Sequence, residues 1–261
     1  MSAVTPLSPP ALLAHQVRYE QKAFWRNPPA ALFTFAFPLM FLVIFAAVFS
    51  SNTIDYLGGV KYNQYFIPAI TAYGVISSCY TALGIQIPLR RDSGQLKRLR
   101  ATPLPAWAAI AGYLANALLI AVLLVVLTLG LGTVLYGLRW HGHLAALVAT
   151  VVLGSATFCA LGISIANVVP NADAAGPIVN LALFPVLFLS GTFFPINNTS
   201  AISRVADYLP VRPFTKALFR VFDPRTHGLG FDGRSMLVMG IWLVAATVFA
   251  VRRFRWEPRR S

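Results

Sequence analysis

The chain has 261 residues, of which 57% are hydrophobic and only 11% charged, with a mean hydropathy of +0.67. Soluble domains carry about 25% charged residues, so this composition excludes a single soluble domain, and its hydrophobicity excludes a disordered chain. The 21 Lys+Arg against 8 Asp+Glu leave a net charge of +13, which in so apolar a chain reads as basic flanks of membrane segments rather than a nucleic-acid surface.

In chain order, residues 10–26 (PALLAHQVRYEQKAFWR) set Leu13, Val17 and Phe24 near one helical face. Leu12 is adjacent and Trp25 lies at the end, while Arg18, Glu20 and Lys22 fall elsewhere around the helix. An amphipathic helix lying flat on a membrane surface is predicted, turning inward at Asn27-Pro28-Pro29. It serves either as an anchor or as a docking surface for a partner. The first 29 residues hold no long apolar core, so the first span is expected to act as an uncleaved anchor.

A spanning helix needs about 20 mostly apolar residues, and a charge at its centre costs roughly 2.5–3.5 kcal/mol. Uncharged runs occupy 27–54, 62–89, 101–138, 140–172, 174–203 and 235–251. They predict six transmembrane helices over about 30–50, 63–88, 106–136, 144–169, 174–195 and 234–251, with Arg234 and Arg252 reaching back to the interfaces. An even number puts both termini on one side. That side carries Arg18, Lys22, Arg26, five basic residues in 89–105 and five in the tail, against Lys61, Arg139 and six between 204 and 234 on the other. Both termini are therefore expected in the cytoplasm.

Within 89–105 (LRRDSGQLKRLRATPLP), Asp92-Ser93 are expected to cap a short helix over 95–100 that Pro103 ends. Between the fifth and sixth spans, Val211, Phe214, Leu218 and Val221 recur at helical spacing. They predict a short interfacial or re-entrant helix pair in 196–233, the alternative being a solvated loop.

Inside the spans, Pro38, Pro68 and Pro185 are expected to interrupt helices. Ala156, Ala160 and Ser164 suit close helix packing. Cys79 and Cys159 sit in apolar runs and imply no disulfide. The polar groups are mild: Tyr73, Ser77, Ser78 and Tyr80 in span two, Asn116 in span three, Asn180 in span five. They serve packing, or line a path better suited to a large amphipathic substrate than to a bare ion.

Absent motifs narrow the chemistry. A phosphate loop needs G-x-x-x-x-G-K-[ST], and none of Lys22, Lys61, Lys97 and Lys216 precedes Ser or Thr. ATP hydrolysis, if used, belongs to another chain. Gly228-x-Gly230-x-x-Gly233 reads as a turn, because no strand–helix unit surrounds it. His141-x-His143 has no acidic or thiol neighbour, so no metal is expected. No acid lies at mid-membrane (Asp173 sits at the tight turn after span four), which counts against a proton-coupled carrier. No paired carboxylates or Cys/His/Asp set marks a membrane enzyme.

Three stretches together resemble the ABC-2 type exporter permeases, the membrane subunits of a class of ATP-binding cassette transporters. They are Arg26-Asn27-Pro28 running into FTFAFPLMFLVIF (33–45), RDSGQLKRLRATPLP (91–105), and FPVLFLSGTFFP (184–195) followed by LPVRPFTKALFR (209–220). The resemblance is to the drug- and lipid-exporting branch, typified by daunorubicin-resistance permeases. Two departures stand out: Asp92 replaces the usual Glu, and Arg212-Pro213-Phe214-Thr215 replaces a usual N-P-[LF]-T.

The resemblance implies an all-α membrane protein. A cytoplasmic arm (1–29) would be followed by an ABC-2 transmembrane domain (30–251), with a re-entrant external region before the last helix, and a basic tail (252–261). It implies that Val17, Arg18, Glu20, Phe24, Trp25 and Arg26 belong to a connecting helix against an ATPase. Arg90, Arg91, Asp92, Gly94, Leu96, Lys97, Arg98, Leu99 and Arg100 would couple to that ATPase. Tyr73, Ser77, Tyr80, Asn180, Phe184 and Phe188 are the pathway candidates, on spans two and five. The implied partners are a cytoplasmic ABC ATPase subunit carrying the ATP and Mg, a second permease copy or paralogue, and membrane lipids. No cofactor is expected on this chain. The expected function is export of a drug-like or lipidic substrate across a bacterial plasma membrane. The alternatives are export of a lipid-linked glycan or lipo-oligosaccharide, a stand-alone membrane transferase, and a scaffold or sensor.

Overall fold

The computed structural model describes residues 8–49, 53–54, 59–101, 105–139, 142–193, 201–226 and 228–253. In chain order these form α1 (Pro9–Trp25), α2 (Pro28–Phe49), a two-residue antiparallel pair β1 (Thr53–Ile54) and β2 (Val60–Lys61), and α3 (Tyr62–Asp92). There follow α4 (Gln95–Arg100), α5 (Ala106–Tyr136), α6 (Leu144–Val168), α7 (Ala172–Ser190), α8 (Ala201–Ala206), α9 (Val211–Phe222) and α10 (Gly233–Arg253). Six of them, α2, α3, α5, α6, α7 and α10, are long and apolar enough to cross a membrane. The chain is a multi-pass, all-α membrane protein.

α3 has 31 residues, about 46 Å at 1.5 Å per residue, and so outruns a hydrocarbon core of about 30 Å. Its charged last turn, with Arg90 and Arg91, extends the helix past the expected end near residue 88. The prolines do not interrupt the spans as expected: Pro38, Pro68 and Pro185 all lie inside continuous helices, as membrane helices tolerate. The irregularity in α3 is instead a π turn at Ser77–Thr81, where the Ala82 amide bonds to the Ser77 carbonyl. One extra residue in the turn rotates the remainder of the helix by about 100°.

α3 is the central helix; Phe66, Ile67, Ile70, Val75 and Ile76 are fully buried. α2 lies along it through Phe37, Phe41, Phe45 and Phe49, which recur every four residues and so share one face. Phe45 meets Phe66 at 4.9 Å and Phe49 meets Tyr62 at 4.8 Å between ring centroids. α6 and α10 share a seven-residue register. Thr157 donates to the Met239 carbonyl at 3.2 Å and Ser164 to the Ala246 carbonyl at 2.9 Å. Ser164 thus closes the small-residue packing expected of that face.

The helical spacing in the 196–233 region is realised: Val211, Phe214, Leu218 and Val221 are all buried in α9, which packs among α3, α6, α7 and α10. α7 ends earlier than expected, at Ser190, where Gly191 turns left-handed at φ 82. Gly228 and Gly230, at φ 85 and 76, form the turn before α10. Both cysteines are buried and free. The expectations placed on His141, Pro103, 194–200 and the basic tail from 254 onward lie outside the described residues. The outward faces of α2 and α7 remain strongly apolar, with Phe33 and Leu181 exposed. Such faces suit lipid or another membrane helix rather than water.

Candidate functional site

The end of α3 ties three parts of the bundle together. Arg90 donates from both terminal guanidinium nitrogens to Glu20 of α1, at 2.6 Å and 3.0 Å, and its guanidinium stacks 4.4 Å above the Tyr113 ring of α5. Glu20 is 2% exposed and also accepts from the Gln16 side chain at 3.1 Å. One position along, Gln21 donates to Asn116 of α5 at 2.9 Å.

α1 is helical as expected, but it presents a different face to the protein. Its buried residues are Gln16 and Glu20, whereas Leu13, Val17 and Phe24 are only half-buried and Arg18, Trp25 and Arg26 are exposed. Glu20 is therefore not on a solvent face. A carboxylate matched by a bidentate guanidinium tolerates burial that a lone charge does not.

Arg91 turns the other way. It is 1% exposed and donates to the carbonyls of Val169 at 2.7 Å, Pro170 at 3.3 Å and Ala166 at 3.4 Å. These lie at the C-terminal end of α6, where carbonyls lack helical partners and the helix dipole favours a cation. Asp92 accepts from the Ala172 amide at 2.6 Å, at the N-terminus of α7, where Asn171 also caps the Ala174 amide. Arg91 and Asp92 thus clip the end of α3 to both sides of the α6–α7 turn. Successive helical residues point about 100° apart, so two neighbouring arginines reach opposite neighbours.

This geometry corrects one expectation for the 89–105 segment. Asp92 and Ser93 do not cap α4: Asp92 caps α7, and the Ser93 hydroxyl bonds back to the Arg90 carbonyl. α4 starts instead from Gly94 in a left-handed conformation at φ 73, whose carbonyl accepts from the Arg98 amide. The basic residues of this segment divide into two groups. Arg90 and Arg91 are consumed internally, Leu96 is buried and Leu99 half-buried, and Lys97 and Arg98 are exposed. Arg100 closes α4.

The six pathway candidates do not converge on one cavity within a single chain. Tyr73 and Tyr80 are buried in α3. Tyr73 packs 6.0 Å from Phe37 and 5.7 Å from Phe193, and the Tyr80 hydroxyl donates to the Val179 carbonyl of α7 at 3.4 Å. Ser77 lines a cavity on the α1 side of α3. On α7, Asn180 is half-buried, while Phe184 and Phe188 lie on the exposed face.

Sequence reasoning missed Gln16, Gln21 and Tyr113. The signal available was the spacing of Gln16 and Glu20, four apart and hence on one face. Gly162 of α6 was missed as well. A Cβ there would come within 2.8 Å of the Tyr80 carbonyl and 2.9 Å of the Cys79 carbonyl, so only glycine lets α6 approach the π turn so closely. Among the described residues, no group of three or more His, Cys, Asp or Glu is placed to hold a metal.

Comparison with known proteins gives this architecture a family. The model of the family described as "ABC-2 type transporter" matches residues 13–222. Similar proteins include "Probable multidrug ABC transporter permease YbhR" of Escherichia coli (strain K12), 22% identical over 168 residues that cover 64% of this chain and 46% of that protein. Another is "Daunorubicin resistance ABC transporter permease protein DrrB1" of Streptomyces coeruleorubidus, 29% identical over 165 residues, covering 60% of this chain and 54% of that protein. The matches thus span about half the length of these relatives. With a family match running from α1 through α9, the chain belongs to the ABC-2 type transporter family.

Proposed function

We propose that this chain is the membrane-spanning permease subunit of an ATP-binding cassette exporter in a bacterial plasma membrane. It moves a drug-like or lipidic amphiphile outward and is powered by a separate cytoplasmic ATPase that carries the ATP and Mg. Both termini face the cytoplasm, and a second permease, a copy or a paralogue, completes the pathway against the apolar faces of α2 and α7. The names of the relatives, a multidrug permease and a daunorubicin-resistance permease, support a drug-like cargo.

The observation that carries this reading is the clip at the end of α3. A lever must be stiff and attached to what it moves. α4 exposes Lys97 and Arg98 on a short helix anchored by buried Leu96, which suits an acidic groove on a motor subunit. Behind it, Arg90 holds α1 and Arg91–Asp92 hold the α6–α7 turn. A push on α4 is therefore shared between the connecting helix and span five. ATP binding draws two ATPase subunits together and favours one arrangement of the permease pair, and hydrolysis releases it; the ATPase acts by shifting the population of two packings.

The test is reconstitution in proteoliposomes with the partner ATPase, following uptake of a fluorescent neutral alkyl glucoside into inside-out vesicles and ATP hydrolysis together. The expected result is ATP-dependent uptake that Arg91→Met uncouples, with hydrolysis continuing. Transport by the chain without any nucleotide-hydrolysing partner, or full coupling after disruption of α4 and its clip, overturns the reading.

A further inference from the structure

Between α1, the first turns of α2, the second half of α3 and the first turns of α5 lies a half-open cavity of about 560 Å³, within the usual range for small-molecule sites. We propose that it binds the polar head of an uncharged, hydroxyl- or amide-bearing amphiphile whose apolar body lies along α2 and α3. The site stands on this chain's own geometry; that its guest is cargo rests on the exporter reading.

Three features point to a ligand. The first is an unmet hydrogen-bonding demand. Tyr113 lines the cavity and is 7% exposed; its polar neighbour is the Arg90 guanidinium over its ring, and its hydroxyl makes no well-aligned hydrogen bond. Buried hydroxyls are as a rule well paired, so one met only by a stacked guanidinium leaves hydrogen-bonding capacity for a guest atom. Ser77, Thr81 and Gln86 of α3, Thr34 of α2 and Asn116 of α5 line the same space. That is a costly concentration of polar groups on membrane-spanning helices.

The second is the π turn. Ser77, Ser78 and Thr81, which belong to it, all face the cavity. The turn itself thus places three hydroxyl residues on one wall, and it rotates the following segment, which carries Gln86 to the same space. π turns of this kind recur at functional sites for that reason.

The third is the charge balance. Glu20 and Arg90 also border the cavity but bind each other through two hydrogen bonds. A guest with a net charge would have to take one of them and leave the other buried without its counter-ion. A neutral head that donates and accepts fits without that loss. Ala82, Leu83 and Ala117 supply an apolar shoulder, and exposed Leu89 stands at the rim, so the tail can leave toward lipid.

The experiment places the full-length chain in phosphatidylcholine nanodiscs with an alkyl glucoside carrying a diazirine on its chain, irradiates, and maps the label by mass spectrometry. Label is expected on peptides carrying Ser77–Gln86 and Tyr113–Asn116. Tyr113→Phe, which removes one oxygen, lowers it about fivefold, as for one lost hydrogen bond. Ala82→Phe, which fills the cavity, lowers it on the order of tenfold, whereas Val244→Phe on the outer face of α10 leaves it unchanged. An otherwise identical probe with a quaternary ammonium head labels the site less.

Label spread over α2, α7 and α10 and indifferent to Tyr113→Phe and Ala82→Phe overturns the proposal, as does preference for the ammonium probe. Two further arms separate the sources of the guest. Neutral glucosyl diacylglycerol in the nanodisc competes if the occupant is a resident lipid. ATP added with the partner ATPase before irradiation depletes the label if the occupant is cargo. Either result upholds the site. Intact labelling without ATP-driven transport defeats the exporter reading alone, and intact transport without site-selective labelling defeats this proposal alone.

Discussion

Arg90 and Glu20, seventy residues apart, face each other through two hydrogen bonds at 2.6 and 3.0 Å, and this one pair joins the amphipathic helix to the second span. Glu20 is nearly inaccessible, and Arg90 retains a 17% exposed side chain. Removing one partner of such a pair leaves the other uncompensated, at a cost of about 3–5 kcal/mol, whereas replacing both with apolar residues of similar volume is often neutral. Glu20→Met is therefore expected to destabilise the chain strongly in detergent unfolding titrations, and Glu20→Met with Arg90→Met to recover most of the loss. Additive losses in the double variant would contradict the pairing.

Arg91 and Asp92 are expected to matter for transmission more than for folding of any one helix. Arg91→Met removes the donors from three carbonyls of the α6 end. Spin labels on α4 and α7 should then show a broadened distance distribution, measured by electron–electron resonance. Asp92→Ala removes one cap from α7 and should cost about 1 kcal/mol. An unchanged distribution in Arg91→Met would show that α4 and α7 move together by other contacts.

Lys97→Glu with Arg98→Glu reverses two exposed charges that make no buried contact. Surface changes of this kind shift stability by no more than about 0.5 kcal/mol, so thermal unfolding should be unaffected. Affinity for the ATPase partner should fall, and the wild-type interaction should weaken with salt. Equal binding by both forms in a pull-down titration across ionic strength would remove α4 from the interface.

Gly162→Ala forces a methyl group against the carbonyls of Tyr80 and Cys79. Overpacking costs typically about 1–3 kcal/mol, and here the obstacle is backbone that cannot rotate away. The variant should lower the thermal midpoint more than Gly240→Ala on α10, where an added Cβ meets open space. Similar midpoints would mean that α6 and the π turn are less closely packed than the structure has them.

Much of the architecture was legible in the sequence, because the signals are local. Long uncharged runs, the last of them short and flanked by Arg234 and Arg252, marked the six spans, and α5 coincides with its expected 106–136. A period of three to four residues in Val211, Phe214, Leu218 and Val221 marked α9 as a helix with one buried face. The nearest failures were also local: Pro38, Pro68 and Pro185 read as breaks, but membrane helices tolerate proline.

The candidate site was legible only as a cluster of charges. Lys and Arg counts set the orientation of the spans and marked 89–105 as unusual, yet Arg90, Arg91, Lys97 and Arg98 look alike in one dimension. Tertiary structure alone divided them, because a guanidinium takes whichever carboxylate or helix end the packing brings within 3 Å. α1 packs along α5, which brings Glu20 to Arg90 at the end of α3, and the α6–α7 turn lies on the other side of that end. The π turn was hidden for the same reason: SSCYT (77–81) carries no sequence mark of it, and its place is set by how α3 packs between α5, α6 and α7. Hydropathy and helical period determined which segments enter the membrane, whereas the contacts among those segments decided which charges brace the bundle and which remain on its surface.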